Sequence, residues 1–185
     1  MNIIKTDIEG LVILVPRVFE DERGYFFESY SEKNVSELLG GVTFVQENES
    51  YSKYGVLRGL HFQEGEHAQA KLVRVVKGRV LDVAVDLRPE SPTYGKHVSV
   101  ELSDQNKRQL FIPRHFAHGF IVLSNEAIFQ YKCDNYYYPS AEAGIKWNDP
   151  SLDIQWRIPN YSIMVSGKDE KLPFIQLDLV LTCPN

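Results

Sequence analysis

A chain of 185 residues with 43% hydrophobic and 24% charged content has the size and composition of one soluble globular domain with a full hydrophobic core. Its formal net charge of −5 argues against the basic footprint of a nucleic-acid binder and against a polybasic membrane patch; an anion would need a local cluster of Arg and Lys. Two cysteines, Cys133 and Cys183, form neither a disulfide framework nor a metal-binding spacing, which fits a reducing cytoplasm. The longest apolar run near the amino end, Leu11–Val15, is too short for a signal or a membrane span.

In chain order the sequence reads as mostly extended. Leu11–Val15, closed by Pro16, is a buried strand; Asp21–Gly24 is a turn and Tyr25–Tyr30 a second strand. One helix is predicted over Glu32–Leu39, capped by Ser31, given an apolar face by Val35, Leu38 and Leu39, and stopped by Gly40 and Gly41. Thr43–Gln46 and the polar run Glu47–Tyr54 lead into Val56–Gln63, an extended stretch that carries Arg58, Gly59 and His61. Alternation puts Leu57, His61 and Gln63 on one face and Arg58, Leu60 and Phe62 on the other, unless a bulge at Gly59 re-aims the strand. Lys71–Val76 and Arg79–Leu87 flank Lys77 and Gly78 and read as a tight hairpin. On its second arm Leu81, Val83, Val85 and Leu87 share a face, opposite Asp82, Ala84, Asp86 and Arg88.

Pro89–Gly95 is a loop, and strands follow at His97–Leu102, Gln109–Ile112, Gly119–Leu123 and Ala127–Cys133. After Tyr138 and Pro139 the texture turns polar and turn-rich, with scattered Trp147, Trp156 and Ile158. Many short strands and one brief helix indicate an antiparallel sandwich or barrel of the jelly-roll type. The expectation is a single domain over residues 1–185, with about 140–185 as a tail packed around the barrel.

Small barrels enclose ligand cavities, so polar side chains inside otherwise apolar strands are the candidates for chemistry. They are His61, Lys71, His118, Tyr131 and one of Asp82 or Asp86. Singly, each has an ordinary reading. Lys71 snorkels to solvent, Tyr131 is a wall residue with a satisfied hydroxyl, His118 is bonded to backbone, and Arg23 and Arg58 are surface charges. Gathered in one cavity, they would cost desolvation that a purely structural core avoids.

Several blocks, in order and spacing, resemble the signature of the dTDP-4-dehydrorhamnose 3,5-epimerase family. They are Asp21–Tyr30, Gln46–Asn48, Leu57–Gln63, Lys71–Arg74, Ile112–Phe120, Tyr131–Lys132, Tyr136–Tyr138, Ile145–Asp149 and Ser166–Asp169. The resemblance implies an all-β, cupin-type jelly roll with a few short helices, assembled as a cytoplasmic homodimer. It implies inversion of C3 and C5 of dTDP-4-dehydro-6-deoxy-D-glucose, giving dTDP-4-dehydro-L-rhamnose, with no metal or organic cofactor.

A proton beside a ketone is weakly acidic. Inversion therefore calls for a base on one face, a proton donor on the other and a cation near the enolate oxygen. By the resemblance, His61 is the base, Asp169 supports it, Tyr131 donates and Lys71 holds the oxygen. The same resemblance assigns substrate contacts to Arg23, Glu28, Gln46, Asn48, Glu142 and Lys168, some reaching in from the partner subunit, while Lys71 meets the sugar at its oxygen and His118 would hydrogen-bond the sugar or help polarise the ketone. Phe26 and Tyr138 would stack on the thymine, and the planar fork of Arg58 suits phosphate.

Three alternatives stand beside this reading. A C3-only epimerase would share the base and acid. A metal-dependent cupin could draw imidazoles from His61, His67 and His118, although Gln63 stands where a chelating pair would place a second histidine. A binding module could keep the fold without the chemistry.

Overall fold

The computed structural model describes residues 1–175, so Cys183 and the end of the expected tail lie outside the described residues. The elements run β1 (Asn2–Lys5), β2 (Val12–Val15), β3 (Phe19–Asp21), β4 (Gly24–Phe26), α1 (Glu32–Leu38), β5 (Gln46–Lys53), β6 (Leu57–Gln63) and β7 (Lys71–Lys77). Then come β8 (Arg79–Asp86), β9 (His97–Ser103), β10 (Gln109–Ile112), β11 (Phe116–Val122), β12 (Glu126–Cys133) and β13 (Glu142–Gly144), with short 3₁₀ turns between and after them.

Two antiparallel sheets carry the structure: one in the order β1-β2-β10-β7-β12-β5, the other β13-β6-β11-β8-β9. The β3–β4 hairpin stands apart from both. Between the sheets lies a core that includes Val73, Val75, Leu110, Ile112 and Phe129 facing Val80, Ala84, Val100, Leu102, Phe116 and Phe120. The outer face of the five-stranded sheet buries Leu57, Leu60, Leu81, Val83, Val85 and Ile121 under residues of the 145–175 segment, among them Ile145, Leu152 and Trp156. Helix α1 covers the outer face of the other sheet, where Val35 meets Leu14, Leu72 and Phe111. Its amino end is capped as the sequence indicates, with Ser31 Oγ accepting from the Asn34 amide.

Two local expectations are corrected. The Lys77–Gly78 corner does not close a hairpin: β7 pairs with β10 and β12, whereas β8 pairs with β11 and β9. The chain instead crosses between sheets at Gly78. Val73 and Val75 on one arm and Val80 and Ala84 on the other then bury in the same interior, face to face rather than side by side. Gly78 sits at φ +83°, and a Cβ there would meet Ser124 Oγ at 2.6 Å. The polar run after Gln46, to which the sequence pattern assigns no element, is a strand. It forms most of β5, an eight-residue edge strand paired with β12. Gln46, Asn48, Ser50 and Ser52 are its less exposed positions, so this strand has no apolar alternation to read. The extended stretch after Gly24 is also shorter than expected, ending at Phe26.

The loop after β8 is stapled by a carboxylate. Asp86 is fully buried and accepts from the Arg88 guanidinium at 2.7 and 2.8 Å, from Ser91 Oγ at 2.6 Å and from Thr93 Oγ1 at 2.7 Å. Burial alone would raise its pKa, but the Arg88 charge and these donors outweigh it and hold the carboxyl at about 2, against an ordinary 3.8. Because the folded value is depressed, the stabilisation is present above pH 3.8 and is lost as pH falls through about 2. Asp86→Asn should therefore lower stability at neutral pH by about 1–2 kcal/mol, allowing for screening at the partly exposed Arg88, and the deficit should shrink in the acid range. Denaturant melts of both proteins at several pH values check this.

Candidate active site

The site begins with an irregularity in β6. His61 is the cross-strand partner of His118, yet Arg58 pairs with Phe120 and Leu57 with Ile121, so the register slips by one residue around Gly59. Gly59 has φ +123°, and a Cβ on it would lie 2.6 Å from Gly119 Cα and 2.7 Å from His118 O. Only glycine fits this approach. The slip overturns simple alternation: Leu57 and Leu60 both pack in the outer core, and Arg58 and His61 both face the interior cleft.

The segment after β13 completes the pair that β6 begins. A short turn at Asp169–Lys171 brings the buried Asp169 carboxylate to His61, with Oδ1 2.7 Å from Nε2. The Asp169 amide donates to Ser166 Oγ at 3.1 Å, and Asp169 Oδ2 accepts from the Gly59 amide at 3.4 Å. Histidine, carboxylate and bulge are thus one unit. From the opposite sheet come Lys71, at the start of β7, and Tyr131 on β12.

The cleft has two lobes that meet at His61, Lys71 and Tyr131. The larger, of about 480 Å³, adds Arg58, His118, Lys168 and Asp169 to an apolar wall of Val56, Phe120, Phe129, Met164 and Val165. The smaller, of about 310 Å³, adds Gln46, Asn48, Gln63, Gln69, Tyr137 and Glu142. Arg58 is steadied against β5, donating from Nε to Ser52 Oγ at 3.0 Å and from Nη2 to the Tyr51 carbonyl at 3.3 Å. Glu142 accepts from Lys168 Nζ and from the Tyr137 hydroxyl, each at 2.6 Å. Gln46 donates to Asn48 Oδ1 at 3.0 Å.

Burial acts on several titratable groups here. It lowers the Lys71 pKa, against the opposing influence of Cys133, Asp82 and Glu142. It raises that of Tyr131, with Cys133 adding to the effect and Arg58 opposing it. It pushes the Cys133 thiol up to about 11 despite nearby Lys71, so this cysteine stays a neutral thiol at physiological pH. For Glu142 burial pulls upward, but Lys168 and Tyr137 prevail and the carboxyl stays below its usual range.

Not every candidate is at the cleft. Arg23 is 85% exposed on the β3–β4 hairpin and paired with Asp21, Phe26 is 71% exposed on the same hairpin, and Glu28 accepts from Asn34 Nδ2. Tyr138 lines neither lobe and stacks on His67, with ring centroids 4.0 Å apart. Other residues at the site were not singled out from the sequence. Ser52, Gln69 and Tyr137 are ordinary polar side chains there, with no signal to mark them. Of the two carboxylates named from the sequence, Asp82 is the one beside the site, within 3.1 Å of His118 Nε2, whereas Asp86 serves the loop after β8.

Among the described residues, no three His, Cys, Asp or Glu side chains converge into a metal-binding group. Gln63 is engaged with the backbone, donating to the carbonyls of His67 and Tyr136.

Comparison with known proteins agrees over nearly the whole chain. The family profile described as dTDP-4-dehydrorhamnose 3,5-epimerase matches residues 5–176. The dTDP-4-dehydrorhamnose 3,5-epimerase of Salmonella typhimurium is 55% identical over 97% of this chain and 98% of its own. A crystal structure of the Elizabethkingia anophelis enzyme of that name superposes with a TM-score of 0.90 at 54% identity, covering 94% of this chain and 96% of that one. The dTDP-6-deoxy-D-glucose-3,5-epimerase of Legionella pneumophila, solved in complex with dTDP-4-keto-L-rhamnose, gives 0.87 at 49% identity, covering 95% and 98%. With a cupin-type jelly roll and a match of this extent, the chain belongs to the dTDP-4-dehydrorhamnose 3,5-epimerase family.

Proposed function

We propose that the protein inverts C3 and C5 of dTDP-4-dehydro-6-deoxy-D-glucose, yielding dTDP-4-dehydro-L-rhamnose by proton transfer through enolates. One observation carries this reading: a histidine on one sheet, paired with the Asp169 carboxylate, and a phenol on the other open into one cleft, with the half-buried Lys71 ammonium beside them. Asp169 accepts the Nε2–H of His61, which leaves the lone pair on Nδ1 to take the proton from carbon. As the C–H bond breaks, its electron pair moves onto the ketone oxygen, where Lys71 holds the negative charge. Tyr131, kept protonated by its raised pKa, returns a proton to the same carbon from the opposite face. Once the His61 imidazolium has released its proton to water and the Tyr131 phenolate has taken one up, repetition at the second carbon completes the inversion.

Arg58 and Lys168 supply the positive charge that a diphosphate needs on an otherwise acidic protein, and His118 hydrogen-bonds the sugar. Gln46, Asn48 and Glu142 hold the remainder of the nucleotide along the smaller lobe. The exposed β3–β4 hairpin and the residues after it carry Arg23, Phe26 and Glu28 to the partner's site in a homodimer. There Phe26 and the Tyr138 ring stack on thymine. Residues 1–185 act as one domain in the cytoplasm.

A proton NMR time course in deuterated water with the keto-sugar nucleotide, run with and without chelator, tests the reading. Deuterium at C3 and C5 together with an L-rhamno product is the expected result. Exchange at C3 alone would move the protein to the C3-only epimerases. Binding without exchange would make it a binding module, and loss of exchange on chelation would return it to the metal-dependent cupins.

A further inference from the structure

Asp82 has no exposed surface and no part in the chemistry above. Its neighbours Leu81 and Val83 face the outer core, while Asp82 itself turns inward with Val80 and Ala84. Its two oxygens lie 3.0 and 3.1 Å from Nε2 of His118. His118 is 7% exposed, lines the larger lobe and stands directly across from His61 on the neighbouring strand. Two imidazole–carboxylate pairs, His61–Asp169 and His118–Asp82, therefore sit side by side, their rings on neighbouring strands, and open on one cleft. Phe129 stacks near the His118 ring at 6.1 Å and 25°, restricting its tilt. A buried carboxylate is destabilising unless its partners repay the lost hydration, and the adjacent interior positions are simply apolar. A role in holding the imidazole accounts for a charge at this one.

We propose that Asp82 is a positioning residue for the reaction, fixing the His118 ring in the cleft through Nε2 and balancing the Lys71 ammonium with its negative charge. Its carboxylate works against the burial that lowers the pKa of Lys71. The other titratable groups around this cluster are Tyr131 and Cys133 on β12, Arg58 and His61 on β6, Glu142 on β13 and Asp169. Asp82→Asn keeps the shape of the side chain and leaves all of these in place.

The proposal rests on the epimerase reading, and two measurements separate their failures. In the unliganded protein, ring-nitrogen NMR should find His118 with its proton on Nε2, and Asp82→Asn should shift those signals. Unchanged His118 signals in the variant would overturn the pairing whatever the substrate. With substrate, the variant should lose about tenfold to a hundredfold in kcat, with KM changed far less. Exchange at C3 and C5 should fall by the same factor, because both enolates share one oxygen. The alkaline limb of the rate–pH profile should move to lower pH, since Lys71 loses a counter-charge. An unmoved limb with activity falling only in step with the folded fraction would reduce Asp82 to a structural residue. Absence of exchange in the unmutated protein would overturn the epimerase reading itself.

Discussion

Replacing His61 with alanine is expected to abolish deuterium exchange at both C3 and C5, a loss of about 10³- to 10⁴-fold. The two carbons flank one ketone, and a sugar turned or shifted within the cleft can offer either to the same nitrogen. The base is committed by geometry: Nε2 is taken by Asp169 at 2.7 Å, and the Gly59 bulge turns the ring inward with Arg58. The variant leaves the buried carboxylate with the Gly59 amide, at 3.4 Å, as its remaining donor, so some loss of stability should accompany the loss of rate. Thermal melts and binding of dTDP distinguish the two effects. Arg58, Lys168, Gln46 and Asn48 are untouched, so nucleotide binding should survive within a few-fold while exchange disappears. Persistent exchange at one carbon with loss at the other would mean that a second base serves that carbon, and His118 is the residue placed to be it.

Much of the fold could be read from local pattern. The Ser31 cap, the Gly40–Gly41 stop and the alternation of β8 follow from residues in direct succession, and the structure has them where such rules put them. What escaped was set by distant partners. The turn at Gly78 is a real corner, but whether its arms pair or part depends on β10, β12, β9 and β11, none of them adjacent in sequence. Strand β5 is hidden because its inner face lines a polar cleft instead of an apolar core. The candidate site divides in the same way. His61, Lys71, His118 and Tyr131 stood out as polar side chains in apolar strands, and the structure gathers all four. Asp169 stands 108 residues from His61 and comes to it only because a later segment folds over the outer face of β6. Without the family resemblance nothing local marks it.

Replacing Tyr131 with phenylalanine should separate exchange from inversion. His61 still removes a proton and Lys71 still holds the enolate oxygen, so the enolate forms. What the variant lacks is a donor on the far face. The imidazolium can then only return a hydron to the face from which it came. If its own proton has exchanged with deuterated solvent, the sugar gains deuterium at unchanged configuration. Product formation should fall by about 10²-fold or more, while label enters starting material at a rate closer to that of the unmodified protein. The raised pKa of Tyr131 supports this division of labour, since burial keeps the phenol protonated at neutral pH, ready for a carbanion basic enough to take its proton. Removing one hydroxyl from a partly buried ring that keeps its contact with Phe129 should alter stability little, so a kinetic defect would not reflect unfolding. An inverted product formed at the normal rate by the phenylalanine variant would show that another group donates the proton. Glu142, across the smaller lobe and held ionised by Lys168 and Tyr137, is a poor substitute. Water entering that lobe would be the remaining source, and a proton taken at random from water would give mixed configurations rather than clean inversion.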